Sequence, residues 1–589
     1  MSPESFAEHF HILADAPNGV QKLREMILQL AVQGRLVSQD PKDEPASVLL
    51  EKVRAEKEKL IKEGKIRKQK PLPRIDPDEV PYKLPEGWVA IRLGELLYNG
   101  KASYGQNPNP ELVNAKVVKV SNISNDGFFQ GQFANRGYAP SEISELLVNG
   151  GDLLVVKSSG SAQNVRSGKT ALCGGEEAGD VVASNFVMRL QRFSNEVVAT
   201  FLWRLLNSPI SRKFVEETVK TFTYPNLKWS DLSQWGIGLP PGEEQKRIVA
   251  KVDQLMGLCD ELEARHQDRA EKRMTLNKAC LKALAAPDGD SAETAWQRIS
   301  KNFDLLYDCP ENVSALRQAI LQLAVQGRLV PQDPKDEPVS VLLEKIRAEK
   351  ENLIKEGRLR KQKPLAPIQP DEVPYELPEG WELVRLGNVT EIVGGVTKGR
   401  KLTGKTTAFF PYLRVANVQR GYLDLAEIKE IEIPVDELLK YRLEPGDLLI
   451  TEGGDWDKVG RTAIWNGEVE NCLHQNHVFR ARLIMDDVSR QWLVLFVNSP
   501  TGRSYFEGAS KQTTNLASIN MTQLRHCPIP IPSLAERERI VGKVDQLMAL
   551  CDELEDKLTQ SQSAAETLMG AVVNQFATSR ARISALTAA

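Results

Sequence analysis

An eleven-residue stretch occurs twice in this chain: ILQLAVQGRLV runs from Ile27 to Val37 and again from Ile320 to Val330, 293 residues later. The repetition continues through QDPKDEP (Gln39 to Pro45, Gln332 to Pro338), LIKEG, RKQKPL, PDEVPY and LPEGW, ending at Trp88 and Trp381. A second repeated unit, RIV followed by KVDQLM and LCDELE, starts at Arg247 and at Arg539. Between Trp88 and Arg247, and between Trp381 and Arg539, the halves share only scattered residues. Self-similarity on this scale constrains the fold more than local propensity does, because the same supporting structure must be built twice. The order is frame, variable block, rod unit, then the same three again. The function must therefore use two equal frames with unequal contents.

Each variable block is of domain size, on the order of 50–200 residues. The boundaries predicted are 1–87 for the first helical frame and its proline-rich linker, 88–240 for the first variable domain and 241–380 for a central rod with the second frame. The second variable domain then spans 381–532 and the last rod 533–589. Charged residues at 26% and hydrophobic residues at 41% describe a soluble globular chain. The net charge of −3 does not speak for or against nucleic acid, since a local basic surface decides that; residues 88–240 carry 15 Lys and Arg against 13 Asp and Glu. Seven cysteines, an odd number with no CxxC pair, fit reduced thiols in a cytosol. No basic start leads into an apolar run, and no stretch approaches bilayer length, so the expectation is a cytoplasmic protein without a membrane partner.

In the first frame Val20, Leu23, Ile27 and Leu30 fall at helical spacing, and Gly34 is placed to end that helix. Ser47 is expected to cap a second helix carrying Val48, Leu49, Val53, Leu60 and Ile61. A basic piece (Lys65, Arg67, Lys68, Lys70) and Pro71, Pro73, Pro77, Pro81 and Pro85 then predict an extended, stiff connection. The variable blocks alternate β-prone runs with Gly, Asn and Ser turns. AKVVKV, DLLVV and NFVMRL in the first correspond in outline to YLRVANV, GDLLIT and NHVFRAR in the second, so both are read as mixed α/β domains sharing one fold. In the rod units Ile248, Val252, Leu255, Cys259 and Leu262 keep a four-three alternation, break at His266 and Arg269, and resume at Leu276 and Cys280. The second rod runs Ile540, Val544, Leu547, Cys551, Leu554, Leu558, Ser561, Ala565, Leu568 and Val572. Helices of this length, on the order of 60 Å at 1.5 Å per residue, are rods, and each seam is expected to be covered by the other rod. The fold class expected is α+β: two loop-rich α/β variable domains separated by long antiparallel coiled-coil helices, with a pseudo-two-fold internal repeat.

Catalytic signatures fail one by one. Gly399, Gly404, Lys405 and Thr406 complete a formal Gly-x4-Gly-Lys-Thr phosphate-binding pattern, but a strand-like TAFFPYLRV follows where a helix is needed, so a basic loop is the better reading. Cys472, His474 and His477 lie close together, yet a strand through them scatters them over both faces and no second ligand cluster exists. Hydrolase, metalloprotease and dinucleotide fingerprints are missing, as is the Pro-Pro-Tyr/Phe core of an amino-methyltransferase; NPNP at Asn107 to Pro110 is no substitute. What remains is a set of loops with the side chains that read DNA. In the first block these are Lys116, Lys119 and Asn122; Lys157, Ser158, Asn164, Arg166 and Lys169; and Tyr224, Asn226 and Lys228. In the second they are Lys398, Arg400 and Lys401; Arg414, Asn417 and Arg420; Trp456, Lys458 and Arg461; and Gln475, Asn476, Gln512 and Asn515. Arg, Lys, Asn and Gln make bidentate contacts to base edges, and Arg and Lys neutralise phosphates. For any single residue a solvated loop side chain is the simpler account; as sets on two divergent domains they favour recognition.

In this order the pieces resemble the specificity subunit of a type I restriction-modification enzyme. The resemblance rests on Leu84 to Trp88, Gly151 to Leu154 with Gly446 to Leu449, and Pro240 to Leu255 with Pro532 to Leu547, and covers essentially the whole chain. It implies a non-catalytic subunit that binds a split, asymmetric double-stranded DNA target, one half per domain. It implies two modification subunits carrying adenine N6-methyltransferase chemistry, and restriction motor subunits for ATP-dependent cleavage. S-adenosylmethionine, ATP and Mg are then expected in the partner subunits, and no cofactor or metal in this chain. A coiled-coil scaffold with two ligand- or protein-binding domains is the alternative; it leaves unexplained why divergence concentrates in the Arg/Lys/Asn/Gln loops.

Overall fold

The frame helix Gly19–Val32 buries Val20, Leu23, Met26, Ile27 and Leu30, the stripe its sequence predicts. The computed structural model describes residues 18–578 other than 159, 162–163, 220–224, 287–288, 370–371, 373–374, 455–457 and 514–515. The side chains at 77, 160–161, 164, 176, 289–290, 511–513, 516 and 573–578 are not part of the description. The helix ends at Gly34 in the left-handed region (φ 67°), where a β-carbon would meet Pro85 at 2.4 Å and the Trp88 ring at 2.7 Å. Gly327 repeats this against Pro378 and Trp381. Glycine is therefore required twice over, as the helix terminator and as the seat of LPEGW. The second frame helix, Ala46–Lys62, starts after Pro45 with no side-chain cap, so Ser47 lies inside its first turn and does not cap it.

The repeated words of the sequence meet at one junction. Trp88 Nε1 donates to Glu244 Oε2 at 3.0 Å, Gln39 Nε2 donates to Glu244 Oε1 at 3.0 Å, and Arg247 forks onto Asp43 at 3.1 and 2.6 Å. In the second copy Trp381 donates to Glu536 at 2.9 Å and Arg539 forks onto Asp336 at 3.2 and 2.8 Å. Glu244 and Glu536 are buried, and that burial raises both carboxyl pKa values against the donors that lower them. QDPKDEP, LPEGW and the start of the long helix thus form one hydrogen-bonded joint, which explains why they are duplicated together.

The chain is divided into two compact units, the described parts of Met1–Arg269 with Ser561–Ala589, and of Ala270–Gln560. Each holds one recognition domain of the same topology. In the first, Val89–Arg92 enters antiparallel to the exit strand Gly236–Leu239. A four-stranded antiparallel sheet follows in the order Leu97–Asn99, Val187–Arg192, Leu153–Val156, Thr170–Leu172. A three-stranded sheet pairs Val113–Val118 antiparallel with Ala134–Tyr138 and parallel with Val181–Ala183. In the second domain Glu382–Arg385 pairs with Pro528–Ile531, and the two sheets recur around Leu448–Thr451 and Thr407–Leu413. Because entry and exit strands are hydrogen-bonded partners in register, the frame meets one geometry whatever the domain contains.

The long helices are Gly242–Leu284 (43 residues) and Leu534–Thr578 (45 residues). Their seams are covered differently from expectation. Ile248, Val252, Leu255 and Cys259 lie in one buried cluster with Val20, Leu23, Ile27 and Leu30 of the frame helix, joined by Met569 and Val572 from the last helix; Leu262 packs at its edge. Arg24 of the frame helix bridges to Asp260 and Glu263 at 2.5 and 2.8 Å. In the other unit Ile540, Val544 and Cys551 cluster with Val313, Ile320 and Ala324, while Leu547, Leu554 and Leu558 pack against them; Arg317 bridges to Asp552 and Glu555 at 2.6 and 2.9 Å. The frame helix carries an apolar stripe of its own that needs a partner, and it takes most of the seam that the other rod was expected to cover. The seam also drifts. Leu276 and Leu568 are 40% and 59% exposed, whereas Asn277 and Met569, one residue on, are 1% exposed. A straight α-helix rotates about 20° per heptad against a 3.5-residue repeat. Over the four heptads from Ile248 or Ile540 that amounts to about 80°, close to the 100° step of one residue, so the buried position advances by one.

Candidate nucleic-acid interface

Three loops leave each recognition domain and are tied to one another. In the first, the turn Lys119–Asn122 leads into a short hairpin closed by the Ile123–Phe129 bridge. The second loop consists of the described residues of 157–169, and the third of residues 225–228, which come after the helix Pro209–Val219 in the chain. Second and third are laced together: Leu227 N donates to Lys157 O at 2.8 Å, Ser158 Oγ and Ser167 Oγ both donate to Pro225 O, and Ser158 bridges Asn226. Lys169 Nζ contacts Asn125 Oδ1 and so joins the second loop to the first. A polar recess of about 370 Å³ lies between Ser121, Asn125, Gln130, Arg166 and Lys169. A larger cleft of about 1010 Å³ extends from Arg166, Lys169 and Arg212 to Arg24 and Asp253 of the helical frame. Burial, then Arg166 and Arg212, depress the Lys169 pKa, the mark of a cation held among cations.

The second domain repeats this plan with other side chains. Arg461 Nη1 donates to Gln419 Oε1 at 2.7 Å and Gly421 N to Thr462 O at 2.9 Å, joining the first and second loops. Gly453–Gly454, Leu516–Ser518 and Lys511–Thr513 form a small sheet that joins the second loop to the third. Lys398 and Lys401 are exposed on the loop before Thr407–Leu413, while Arg400 and Lys405 both pair with Glu437, at 2.8 and 3.3 Å.

Several expectations change. Asn122 and Asn417 are each 3% exposed, and their side chains are fully engaged. Each carboxamide accepts from the backbone N–H of the residue three before it (Lys119, Arg414) and donates to two carbonyls of the following hairpin, Gln130 and Gln132 or Asp424 and Glu427. They hold the first loop in shape and leave the reading set. Lys116 stands on a strand and pairs with Asp180 at 2.5 Å; Arg414 pairs with Glu427 at 3.2 Å. Lys119 lies over the Tyr104 ring at 5.7 Å, Arg420 Nη1 is 3.5 Å from Asn498, and Lys458 is half-buried with its carbonyl accepting from Thr451. Gln475 is half-buried beside Val396, and Asn476 contacts the His477 ring at 3.2 Å. Lys157 and Asn226 are half-buried, and Arg166 and Lys228 are exposed. Tyr224, Trp456 and Asn515 lie outside the described residues, as do the side chains of Asn164 and Gln512. The structure adds Asn125, Gln130 and Arg212 to the candidates; the SNISNDG turn signalled the first of these, and nothing local signalled Arg212.

Thr407–Leu413, a strand, follows the Gly399–Thr406 loop, so the loop does not open into the helix that the phosphate-binding pattern requires. Among the described residues no His, Cys, Asp or Glu group is arranged to hold a metal. Cys472 and His474 are buried, the thiol pushed up to about 12 and the imidazole down to about 4 by burial, while exposed His477 meets Glu452 at 2.7 Å. No described helix is long and apolar enough to cross a membrane.

The type I restriction modification DNA specificity domain model matches this chain twice, at residues 85–272 and 378–561. The chain belongs to that family. Among curated relatives, the specificity subunit of the type I restriction enzyme EcoEI of Escherichia coli is 33% identical over 573 residues, 94% of each chain. That of EcoAI, also of E. coli, is 33% identical over 558 residues, 91% of this chain and 90% of the other. A chain solved in a study of complex assembly and conformational transition of the type I R-M system is 21% identical, with a TM-score of 0.48 over 84% of this chain and 99% of its own. Both family matches begin at the LPEGW joint and run into a long helix, the span from the Trp–Glu junction through the three tied loops. The chain is thus a DNA-sequence specificity subunit without catalysis of its own, acting with DNA and with other restriction-modification subunits.

Proposed function

We propose that each recognition domain reads one half of a bipartite, asymmetric DNA target, and that the two equal frames dock two copies of a modification subunit. The observation that supports this most directly is the contrast between parts. The Trp–Glu hydrogen bond and the Arg–acid bridges recur in both copies, whereas the three tied loops keep their topology and change their side chains. Identical frames suit two identical partners, and different loops suit two different half-sites. Within a domain, Arg166, Lys169 and Lys228 supply charge to phosphates or bidentate donors to guanine, and Asn125 and Gln130 supply donor-acceptor pairs to adenine. Lacing the loops into one body lowers the ordering cost that free loops would incur on binding. Adenine N6-methylation with S-adenosylmethionine, and cleavage driven by ATP with Mg by motor subunits, belong in this reading to the partners, in a cytoplasmic complex. The role of this chain is to hold the target in register for them.

The test is an exchange of residues 88–240 for the equivalent block of a relative, cut at the paired strands Val89–Arg92 and Gly236–Leu239. Methylation-sensitive sequencing of host DNA should show one half of the target replaced and the other retained. Simultaneous change of both halves would refute one reader per half-site.

A further inference from the structure

The basic segment that joins each frame to its recognition domain has no part in the three reading loops, yet it is held in place. From residue 66 to 75 burial recurs every third residue: Ile66, Gln69, Leu72 and Ile75 are half-buried, and the residues between them are exposed. The second copy keeps the register at Leu359, Leu365 and Ile368, while Gln362, the counterpart of Gln69, is exposed. Three residues per turn is the period of a polyproline II helix, which suits the prolines in both segments. One row of this strap lies on the protein. Leu72 and Ile75 sit so close to Gly94 and Gly236 that β-carbons there would come within 3.1 and 2.9 Å of them. Arg92 grips the carbonyls of Pro73 and Arg74, and Arg385 those of Ala366 and Pro367.

The other two rows face water and carry the charge. Arg67, Lys68 and Lys70, with Arg360, Lys361 and Lys363, are all exposed, and no described residue forms an ion pair with them. Three nearby glutamates are engaged elsewhere: Glu79 and Glu372 pair with Arg92 and Arg385, and Glu63 with Lys65. Location supplies the second observation. Arg92 Nη1 also binds Gln234 O at 2.8 Å, at the end of the short turn that Lys228 opens, and Arg385 Nη1 binds His526 O at 2.6 Å, at the end of the helix that follows the third loop of the second domain. Each strap is therefore tied to the element leaving its domain's third loop.

We propose that the two straps are phosphate contacts: they bind the DNA backbone beside each recognition domain, independently of base sequence. This rests on the DNA-reading role of the domains. It assigns the RKQKPL repeat to affinity and salt dependence, and leaves base choice to the loops. A stiff, pre-extended segment loses little conformational freedom when it binds, and cations three residues apart on one row are on the order of 9 Å apart at 3.1 Å per residue.

The experiment compares the full-length chain, co-purified with its modification subunits, with a variant carrying R67Q, K68Q, K70Q, R360Q, K361Q and K363Q. Binding to the target duplex and to a scrambled duplex is measured by anisotropy between 50 and 300 mM salt. Each phosphate contact contributes about 0.9 to the slope of log K against log salt, so the slope should fall by about 3 to 5. Affinity for target and scrambled DNA should fall in parallel, leaving their ratio within about twofold. An unchanged slope in a complex that still prefers its target overturns the strap proposal and spares the reading role of the domains. An unchanged slope with loss of the modification subunits on gel filtration overturns it in favour of a protein-docking strap. A wild-type complex with no preference for any target in this assay overturns both. Equal melting temperatures of the two proteins exclude misfolding as the cause of a lowered slope.

Discussion

Replacing Trp88 by Phe removes one hydrogen-bond donor from the joint that seats the first recognition domain. The indole N–H reaches Glu244 at 3.0 Å, Trp88 is 7% exposed and Glu244 1%. Phe keeps most of the ring against Gly34 but leaves a buried carboxylate with Gln39 as its remaining side-chain hydrogen-bond donor. A hydrogen bond to a charged group contributes about 1.5–3 kcal/mol, so the loss should be about 2 kcal/mol near pH 8. At about 2–4 °C per kcal/mol for a unit of this size, the melting temperature should fall by about 4–8 °C. The pH dependence identifies the cause. Burial raises the Glu244 pKa above its ordinary value, so this carboxyl binds its proton more readily folded than unfolded. Its contribution is fully present below the unfolded value of about 4.3 and is lost as pH rises through the folded pKa. Removing the donor raises the folded pKa further, so the defect of W88F is largest at pH 8 and shrinks towards pH 4.5. Urea unfolding followed by far-UV circular dichroism at pH 8 and pH 5 measures this, with E244Q as the control that removes the charge and with it the pH dependence. A W88F defect of equal size at both pH values would show that ring packing, and not the carboxylate, makes the joint.

Asn122→Ala and Asn417→Ala should each destabilise by about 2–3 kcal/mol, because three hydrogen bonds inside a buried turn are lost; a thermal melt unchanged within 1 °C would return these residues to the surface. Arg166→Gln, by contrast, should leave stability unchanged and lower DNA affinity, with a salt slope reduced by about 1 if it contacts phosphate, or relaxed preference at one base if it contacts guanine; a variant with wild-type binding removes it from the interface. The imidazole of His474, depressed to about 4 by burial, contributes stability that is present above the unfolded value of about 6.5 and is lost as pH falls towards 4, so His474→Gln should flatten the acid limb of unfolding; an imidazole found charged at pH 6 by NMR would contradict its burial. A fragment from Met1 to Asp288 keeps the frame helix over Ile248, Val252 and Leu255 but lacks Met569 and Val572, so it should self-associate with rising concentration; strict monomers at high concentration in sedimentation would argue against a fused-dimer design.

Much of the architecture was legible in the letters. Duplicated words marked two frames, the four-three spacing from Ile248 and Ile540 marked two long helices, and Gly34 marked a helix end, because repeats and periods are local properties that a chain carries whatever it packs against. The loop vocabulary also singled out segments that the structure ties together in each domain, though not which of their side chains remain exposed. Asn122 and Arg166 look equally suited to bases in a sequence; only the hairpin that folds back over Asn122 makes one a brace and leaves the other exposed.

The sequence by itself determined that this chain is two supports bearing two different readers, since that follows from which segments are copied and which are not. The tertiary structure decided which apolar stripe covers which: the frame helix takes the seam of the long helix, and the buried row advances from Leu276 to Asn277 and from Leu568 to Met569. The reason is geometric. A stripe in a sequence states that a face must leave water, and the helical angle accumulated over four heptads, together with whatever surface lies opposite, settles which residue meets it.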